Sequence, residues 1–412
     1  MGAAWGIWSW WSGRGGADLE FVEVGPGLDE LKLEREVQAA ERARVRPGQP
    51  GTPTTSAALW EPLAPAERAY YLSEDHVRKY FGLGKRDKDL RVYDPFVFML
   101  QRPGCNQVMK WSEHPEGEIL YQTNEAGLRD DPIDWEGSAD LRVLVTGDSH
   151  TYGMCSNHES YPNVLEAQLT AAWPGRTFDV LNTGQGGWTF YHYLGMLEKY
   201  LDWEPDVFVV GVYGGNDFSG LAGLAHTFDE SSRTRLTAEH YQQRREALAI
   251  NPSAMGQCFT GAFHFEHNPQ HVDELYAVSL DLIEQMRAVC EIRGIEMVVA
   301  FIPAPCDLAW DRPIKKFEEL REFLDLGDDG LGVLDALATR FVDDVRKSGL
   351  PVVDLRDSLE GLERPPYWRR DQHLDLVGHE ILARELQPVV EELARARGLL
   401  GEPDRSGRST PR

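Results

Sequence analysis

The chain contains few cysteines, and their pattern argues against two kinds of cysteine-based structural site. Its five cysteines are Cys105, Cys155, Cys258, Cys290 and Cys306. Their number is odd and no Cys-x-x-Cys pair occurs, which argues against a disulfide framework and against a cysteine-rich zinc site. A reducing compartment, by default the cytoplasm, is therefore expected.

Basic residues and long apolar runs are also scarce. Only 42 Lys and Arg stand against 67 Asp and Glu among 412 residues, so the formal net charge is −25. This balance argues against a nucleic-acid partner, which requires basic surfaces that displace counterions. No segment approaches the roughly 20 apolar residues that span a bilayer, and residues 1–11 lack the basic start of a secretory signal. No integral membrane segment is predicted.

The composition, with 42% hydrophobic and 26% charged residues, is typical of a soluble globular protein. A run rich in Pro, Gly, Thr and Ser over 46–56 indicates a linker. We therefore divide the chain into an N-terminal extension and linker (1–60), an accessory segment (61–140), a main domain (141–398) and a tail (399–412). The first 140 residues carry no recognisable chemistry.

From Leu141 onward, short apolar runs alternate with segments of helical periodicity. The runs predict strands at 141–146, 178–181, 206–213, 296–302 and 351–354. The periodic segments predict helices at 160–172, 189–200, 272–293, 332–348 and 378–397. Strands that are apolar throughout and alternate with helices indicate a five-stranded parallel sheet in a three-layer α/β/α domain. The segment 217–271 is too long for a plain connection and is predicted to be a lid-like insertion.

Four polar clusters follow predicted strands. They are Gly147-Asp-Ser-His150, Asn182-Thr-Gly-Gln-Gly-Gly187, Gly214-Gly-Asn-Asp217 and Arg370-Asp-Gln-His-Leu374. In an open parallel sheet, ligands bind outside the carboxyl ends of the strands. A serine, a glycine turn, an asparagine and a histidine are therefore expected at one edge of the sheet.

These residue types are the components of acyl transfer. Ser149 is the candidate nucleophile, because a hydroxyl becomes reactive when an imidazole such as that of His373 takes its proton. The backbone N–H groups of Ser149 and Gly187 and the side-chain amide of Asn216 are candidate donors to an oxyanion. Each cluster alone is an ordinary turn, and Asp148 more simply braces one. All four in this order favour a catalytic site.

Other polar residues have plain alternatives. His150 and Trp188 are candidates for substrate contact, but helix capping or packing is at least as good an explanation for His150, and packing is the stronger one for Trp188. His264, His267 and His271 have a spacing loosely compatible with a metal site. Without an accompanying carboxylate or cysteine pattern, solvated loop histidines are the favoured interpretation.

The sequence resembles the SGNH (GDSL-type) serine hydrolases from about residue 141 to residue 390. The resemblance rests on Gly147-Asp148-Ser149, the turn ending at Gly187, the Gly-x-Asn-Asp at 214–217, and His373 with Gly378-His379 after it. The segment 123–130 also resembles one that precedes the first block in a bacterial branch. The resemblance implies a flavodoxin-like fold, Ser149 as nucleophile, His373 as base, Gly187 and Asn216 in the oxyanion hole, and no metal or organic cofactor.

One position departs from the family pattern. The usual Asp-x-x-His spacing would place the orienting carboxylate at position 370, which is Arg370. Asp371 is the nearest carboxylate, and in an extended loop residues two apart point to the same side. We assign the role to Asp371, with Asp375 and a backbone carbonyl as alternatives.

The predicted function is cleavage of a carboxylic ester through an acyl-enzyme on Ser149. The resemblance implies a small acyl group, such as acetyl, on a carbohydrate or metabolite. An O-acyltransferase would use the same residues, and a catalytically silent binding module is the alternative from another class. Labelling by a fluorophosphonate, lost in Ser149→Ala, separates enzyme from module.

Overall fold

The computed structural model describes residues 21–23, 68, 70–81, 83, 91–308, 316–327, 331–359 and 362–401. The predicted linker at 46–56 and most of the predicted tail lie outside these residues.

The described residues form ten strands and thirteen helices. The strands are β1 (Phe21–Glu23), β2 (Arg91–Asp94), β3 (Phe98–Gln101), β4 (Asn106–Lys110), β5 (Glu118–Gln122), β6 (Leu141–Gly147), β7 (Phe178–Asn182), β8 (Val207–Tyr213), β9 (Glu296–Ile302) and β10 (Val352–Asp354). The helices are α1 (Glu74–Tyr80), α2 (Ser149–Tyr152), α3 (Tyr161–Ala172), α4 (Phe190–Lys199), α5 (Asp217–Phe228), α6 (Ala238–Ile250), α7 (Pro252–Ala254), α8 (Thr260–His267), α9 (His271–Arg293), α10 (Phe317–Phe323), α11 (Gly332–Lys347), α12 (Leu355–Leu359) and α13 (Leu376–Ala396). Short 3₁₀ turns occur at Asn157–Glu159, Leu201–Trp203 and Pro305–Asp307, and a π-helical turn spans Met255–Phe259.

The central sheet has five parallel strands in the order β10-β9-β8-β6-β7. If these five strands are renumbered 1 to 5 in chain order and read from the β7 edge, the order is 2-1-3-4-5, as in flavodoxin-like folds. Every residue of β6 and β8 is buried, as expected for strands covered on both faces. The predicted fold class is confirmed, and each predicted strand lies within two residues of its observed bounds.

Side chains alternate between the two faces of the sheet and enter two apolar cores. Val143 packs in the core that contains Leu165 of α3 and Leu386 of α13. Leu144 packs in the other core, with Leu194 of α4 and residues of α5, α9 and α11. The two helical layers fix the carboxyl ends of the strands at one edge.

The accessory segment contains strands that the sequence did not reveal. β2 and β3 pair as an antiparallel hairpin, and β4 pairs with both β1 and β5. β4 and β5 alternate between buried and more exposed positions over only five residues each. So short an alternation is a weak signal in a sequence.

The insertion is helical rather than loop-like. α5, α6, the π-helical turn and α8 fill it, and their apolar residues join the larger core. His264 and His271 are buried. The interpretation of these residues as solvated loop histidines is therefore wrong, because the insertion packs its glycines and aromatic residues against the domain. Within the described ranges, no helix is long and apolar enough to cross a membrane.

Candidate active site

Three neighbouring strands deliver three of the predicted clusters to one edge. β6 lies between β7 and β8. The chain after β7 follows the end of β6, because Thr183 N donates to Val145 O at 2.8 Å and Gln185 N donates to Gly147 O at 3.1 Å. The segments that begin at residues 148, 183 and 214 therefore start side by side.

Ser149 is the first residue of the four-residue helix α2, directly after β6. Asp148 caps this helix, and its Oδ1 accepts a hydrogen bond from His150 N at 2.8 Å. Its Oδ2 accepts one from Ser149 Oγ at 3.2 Å. The bracing role of Asp148 thus has a direct structural counterpart, and the sharp turn points the Ser149 hydroxyl out of the sheet edge.

The serine, histidine and aspartate form a continuous chain of contacts. Ser149 Oγ lies 2.8 Å from His373 Nε2. His373 Nδ1 lies 2.5 Å from Asp371 Oδ1. The exposed fractions are 7% for Ser149, 1% for His373 and 2% for Asp371. This arrangement has the geometry of a nucleophile, a base and an orienting carboxylate.

Asp371 reaches the imidazole through a tight turn, not through the extended loop that we assumed. Gln372 adopts a left-handed conformation with φ of 69°. Trp368 N donates to His373 O, and Gln372 N donates to Trp368 O, both at 2.8 Å. The turn places the Asp371 carboxylate next to His373 Nδ1. Asp375 instead caps α13 through Gly378 N and pairs with Arg364 at 2.7 Å.

The electrostatic environment of the imidazole favours its charged form. Burial lowers the pKa of His373, but the charge and hydrogen bond of Asp371, together with the charge of Asp148, outweigh burial and raise that pKa above its ordinary value. Burial raises the pKa of Asp148 to about 6, against the hydrogen bond from His150 N and the charge of His373. A proton taken from Ser149 would thus be held by a ring between two carboxylates.

The candidate oxyanion donors lie on the adjacent loops. Gly187 has φ of 78°, a conformation that glycine adopts without strain. A Cβ added to its neighbour Gly186 would lie 3.7 Å from Ser149 Cβ, so this loop runs beside the serine. Asn216 is buried at the start of α5. These positions are compatible with hydrogen-bond donors that converge on one oxyanion next to Ser149 Oγ.

The two candidate substrate contacts are in the interior. His150 is buried, and its ring stacks on Tyr213 with centroids 3.9 Å apart. Trp188 is also buried, and it stacks on His192 at 5.5 Å. These surroundings favour the packing alternative for both residues over substrate contact.

The histidines of the insertion contact one another and the backbone. His264 Nε2 lies 3.2 Å from His271 Nδ1, and His267 Nε2 lies 2.7 Å from Leu324 O. Among the residues that the structure describes, no group of three or more His, Cys, Asp or Glu is arranged to hold a metal ion.

Sequence reasoning missed Arg129, which supports the loop after Ser149. Its guanidinium donates to the carbonyl oxygens of Gly153 and Cys155, and its Nε donates to Asn157 Oδ1 at 3.2 Å. Arg129 is buried. The family resemblance of segment 123–130 was a signal that this arginine has a role.

Gln257 was also missed. Its side-chain nitrogen lies 3.1 Å from His373 Nε2, and its side-chain oxygen lies 3.1 Å from His150 Nε2. Gln257 lies on the π-helical turn of the insertion, 116 residues before His373. The sequence carries no local signal for so distant a contact.

Solved structures similar to this chain include a GDSL-like lipase, a lipase/acylhydrolase and an acetyl xylan esterase. A GDSL-like lipase from Bacteroides thetaiotaomicron is 14% identical over 61% of this chain and 89% of its own, with a TM-score of 0.34. A lipase/acylhydrolase from Enterococcus faecalis is 17% identical over 62% and 96%, with a TM-score of 0.34. An acetyl xylan esterase is 16% identical over 61% and 100%, with a TM-score of 0.35. No protein-family model and no curated protein sequence matches the chain.

Proposed function

We propose that this protein is a serine ester hydrolase in which Ser149 is the nucleophile, His373 the general base and Asp371 the orienting carboxylate. The observation that carries the proposal is the unbroken contact chain from Ser149 Oγ through His373 to Asp371, with separations of 2.8 and 2.5 Å. A binding module would have no need for this alignment.

The proposed reaction has two halves. Ser149 Oγ attacks the ester carbonyl carbon while His373 Nε2 takes the hydroxyl proton, and the oxyanion accepts hydrogen bonds from Ser149 N, Gly187 N and the Asn216 amide. The C–O bond to the alcohol then breaks, and the alcohol leaves with the proton from His373. Water attacks the acyl-enzyme and gives a proton to His373, and His373 returns that proton to Ser149 Oγ as the bond to the acyl group breaks and the acid is released.

The burial of the site supports a small acyl group. Ser149 is 7% exposed, and Gln257 of the insertion contacts its neighbour His373. The Gly186 backbone runs beside the serine, where an added Cβ would already touch Ser149 Cβ at 3.7 Å. We therefore propose a short acyl ester, such as an acetyl ester. That the alcohol is a carbohydrate or metabolite rests on the family resemblance.

A fluorophosphonate probe tests the proposal directly, because it modifies only an activated serine. We expect labelling of the wild type and its complete loss in Ser149→Ala. Ser279→Ala is the matched control, since Ser279 is also buried but donates to Tyr276 O within α9. Absence of labelling in folded wild-type protein would refute the proposal.

Esters of graded acyl length would then test the substrate class. We expect kcat/KM to be highest for acetyl and to fall as the chain lengthens. Product analysis with and without an added sugar alcohol distinguishes hydrolysis from acyl transfer, because a transferase forms a new ester. A rate that increases with acyl length would contradict the proposed class.

A further inference from the structure

The side chain of Gln257 lies between two imidazoles at the centre of the candidate site. Its Oε1 is 3.1 Å from His150 Nε2, and its Nε2 is 3.1 Å from His373 Nε2. It projects from the π-helical turn at Met255–Phe259. Such turns are rare and occur frequently at functional sites.

His150 determines which way the Gln257 amide points. Leu374 N donates to His150 Nδ1 at 3.3 Å, so this nitrogen carries no proton. Burial, with the neighbouring charge of His373, lowers the pKa of His150 well below its ordinary value, and the ring is neutral. Its proton is therefore on Nε2, which donates to the oxygen of Gln257. The NH₂ group of Gln257 must then face His373.

Two donors compete for one lone pair on His373. The Nδ1 proton is directed at Asp371, so Nε2 has a single acceptor lone pair. Ser149 Oγ approaches it at 2.8 Å and Gln257 Nε2 at 3.1 Å. The serine hydroxyl has a second acceptor in Asp148 Oδ2 at 3.2 Å. The amide can thus occupy the base while the serine donates to Asp148.

This contact opposes the protonated form of the base. Once His373 Nε2 gains a proton, it faces the N–H of Gln257, and two donors repel each other. Rotation of the amide in place does not help, because it would turn the NH₂ group toward the proton on His150 Nε2. The Gln257 side chain must therefore withdraw when the imidazolium forms.

The backbone of the π-helical turn is anchored, so the movement falls to the side chain. Gln257 O accepts a hydrogen bond from the Tyr213 hydroxyl at 2.7 Å. It also packs closely on the loop after β8, where a Cβ added to Gly215 would lie 2.4 Å from it. The ring of Tyr213 stacks on His150, so Tyr213 contacts both Gln257 and His150.

On the premise of the proposed ester hydrolase, we propose that Gln257 is a positioning residue that occupies the His373 lone pair in the resting enzyme. The leaving-group oxygen of the substrate displaces its amide, and His150 sets the direction in which that amide points. Activation of Ser149 is then coupled to the arrival of substrate.

The inference predicts a change in the basicity of His373. Four titratable groups face or act on this ring: Asp371 on its own loop, Asp148 after β6, His150 on α2 and His379 on α13. Removal of the Gln257 amide takes away a hydrogen bond that raises the pKa of His150, so that buried ring stays neutral, and the other three groups keep their positions. A hydrogen-bond donor to Nε2 stabilises the neutral ring, so removal of the donor raises the pKa of His373.

Two variants and one control test the inference by titration of the ring nitrogens of ¹⁵N-labelled histidine, with no substrate present. Gln257→Met removes the donor at similar volume, and the pKa of His373 should rise. Gln257→Glu keeps an oxygen for His150 but places a second carboxylate oxygen at His373. The pKa of His373 should therefore rise more than in Gln257→Met. Gly256→Ala on the same turn adds a methyl group that meets no atom within 4 Å and should change nothing. His373→Gln assigns the signal.

The rate of fluorophosphonate labelling is the second measurement. At a pH above the titration of His373, Gln257→Met should label about two- to tenfold faster than wild type, the factor that one net hydrogen bond represents. An unchanged His373 titration in both Gln257→Met and Gln257→Glu overturns the inference, whatever the labelling shows. A shifted titration without labelling of any folded variant overturns the proposed function instead.

Discussion

Asp371 and His373 are only two residues apart in the chain, and their Oδ1 and Nδ1 atoms are 2.5 Å apart across a left-handed residue, Gln372. In the family that the sequence resembles, the usual carboxylate stands one position earlier. Here the turn at Gln372 brings the carboxylate back over the ring, so the shifted residue makes the same contact from a different backbone geometry.

Substitution of Asp371 tests this relationship. We expect Asp371→Asn to lower kcat by about 10³- to 10⁴-fold, because the neutral amide no longer holds the tautomer of His373 or stabilises its charged form. Esterase kinetics measure the loss, and circular dichroism checks that the fold persists.

Asp375→Asn is the matched control. Asp375 also lies two residues from His373, but it caps α13, a role that Asn fills about equally well. Turnover of Asp375→Asn should stay within about twofold of the wild-type value, because Asn caps a helix about as well as Asp. Loss of turnover in this variant, with Asp371→Asn unaffected, would transfer the orienting role to Asp375.

Asp148 is expected to contribute to the pH dependence of turnover. Its charge contributes to the raised pKa of His373. Asp148→Asn keeps an oxygen for His150 N but removes this charge, so the pKa of His373 should fall. Because the neutral ring is the active form, the acid limb of the kcat/KM profile should move to lower pH. An unmoved or upward-shifted limb would show that Asp148 does not act on the base electrostatically.

Arg129 is expected to stabilise both the fold and the site. Arg129→Met leaves the buried carbonyl oxygens of Gly153 and Cys155 without their donor, and each such group costs about 1–3 kcal/mol. We expect the free energy of unfolding, measured in urea, to fall by about 2–6 kcal/mol. Arg78→Met is the control: it removes a half-exposed pair with Glu74, which is worth under about 1 kcal/mol. Similar losses in both variants would contradict the supporting role.

His192 is expected to make the protein sensitive to acid. Burial lowers the pKa of His192 to about 3. The unfolded chain therefore binds a proton below about pH 6.5 that the folded chain excludes, and stability falls as the pH decreases from 6.5 toward 3. In that window this histidine alone contributes a slope of up to about 1.4 kcal/mol per pH unit.

His192→Gln isolates this effect. His192 Nδ1 accepts a hydrogen bond from Thr189 N at the start of α4, and Gln is a usual residue for that contact. The variant should retain most of its stability at pH 8 and lose less on acidification. Denaturant unfolding at several pH values measures both. An unchanged slope would assign the acid sensitivity to other buried histidines.

The sheet and the arrangement of the candidate site were predictable because their signals are local. β6 and β8 are apolar throughout and end in glycine-containing polar clusters, so strand and cluster could be identified together. The order of the parallel strands then placed Ser149, Gly187 and Asn216 on neighbouring loops. Within the site, the predicted conformation of the loop before His373 was wrong, since a left-handed glutamine has no clear sequence signature.

The two missed residues, Arg129 and Gln257, make contacts that no sequence pattern indicates. Arg129 binds backbone carbonyl oxygens, which every residue possesses. Gln257 reaches His373 only because the insertion folds as packed helices around a π-helical turn. In the sequence, the glycines of that segment suggested a loop. In the structure, Gly215 allows the close approach of the turn.

The accessory segment contacts the loops of the candidate site from outside the main domain. Glu113 accepts a hydrogen bond from Arg370 N at 2.8 Å, and Asp130 accepts one from Asn182 N at 2.5 Å. A truncated protein starting at residue 141 would strip both loops of these partners. It would also lose Arg129 and the apolar residues of segment 91–140 that belong to the larger core. Residue 141 is therefore not a boundary at which the chain can be shortened, and any expression strategy has to retain residues 91–140.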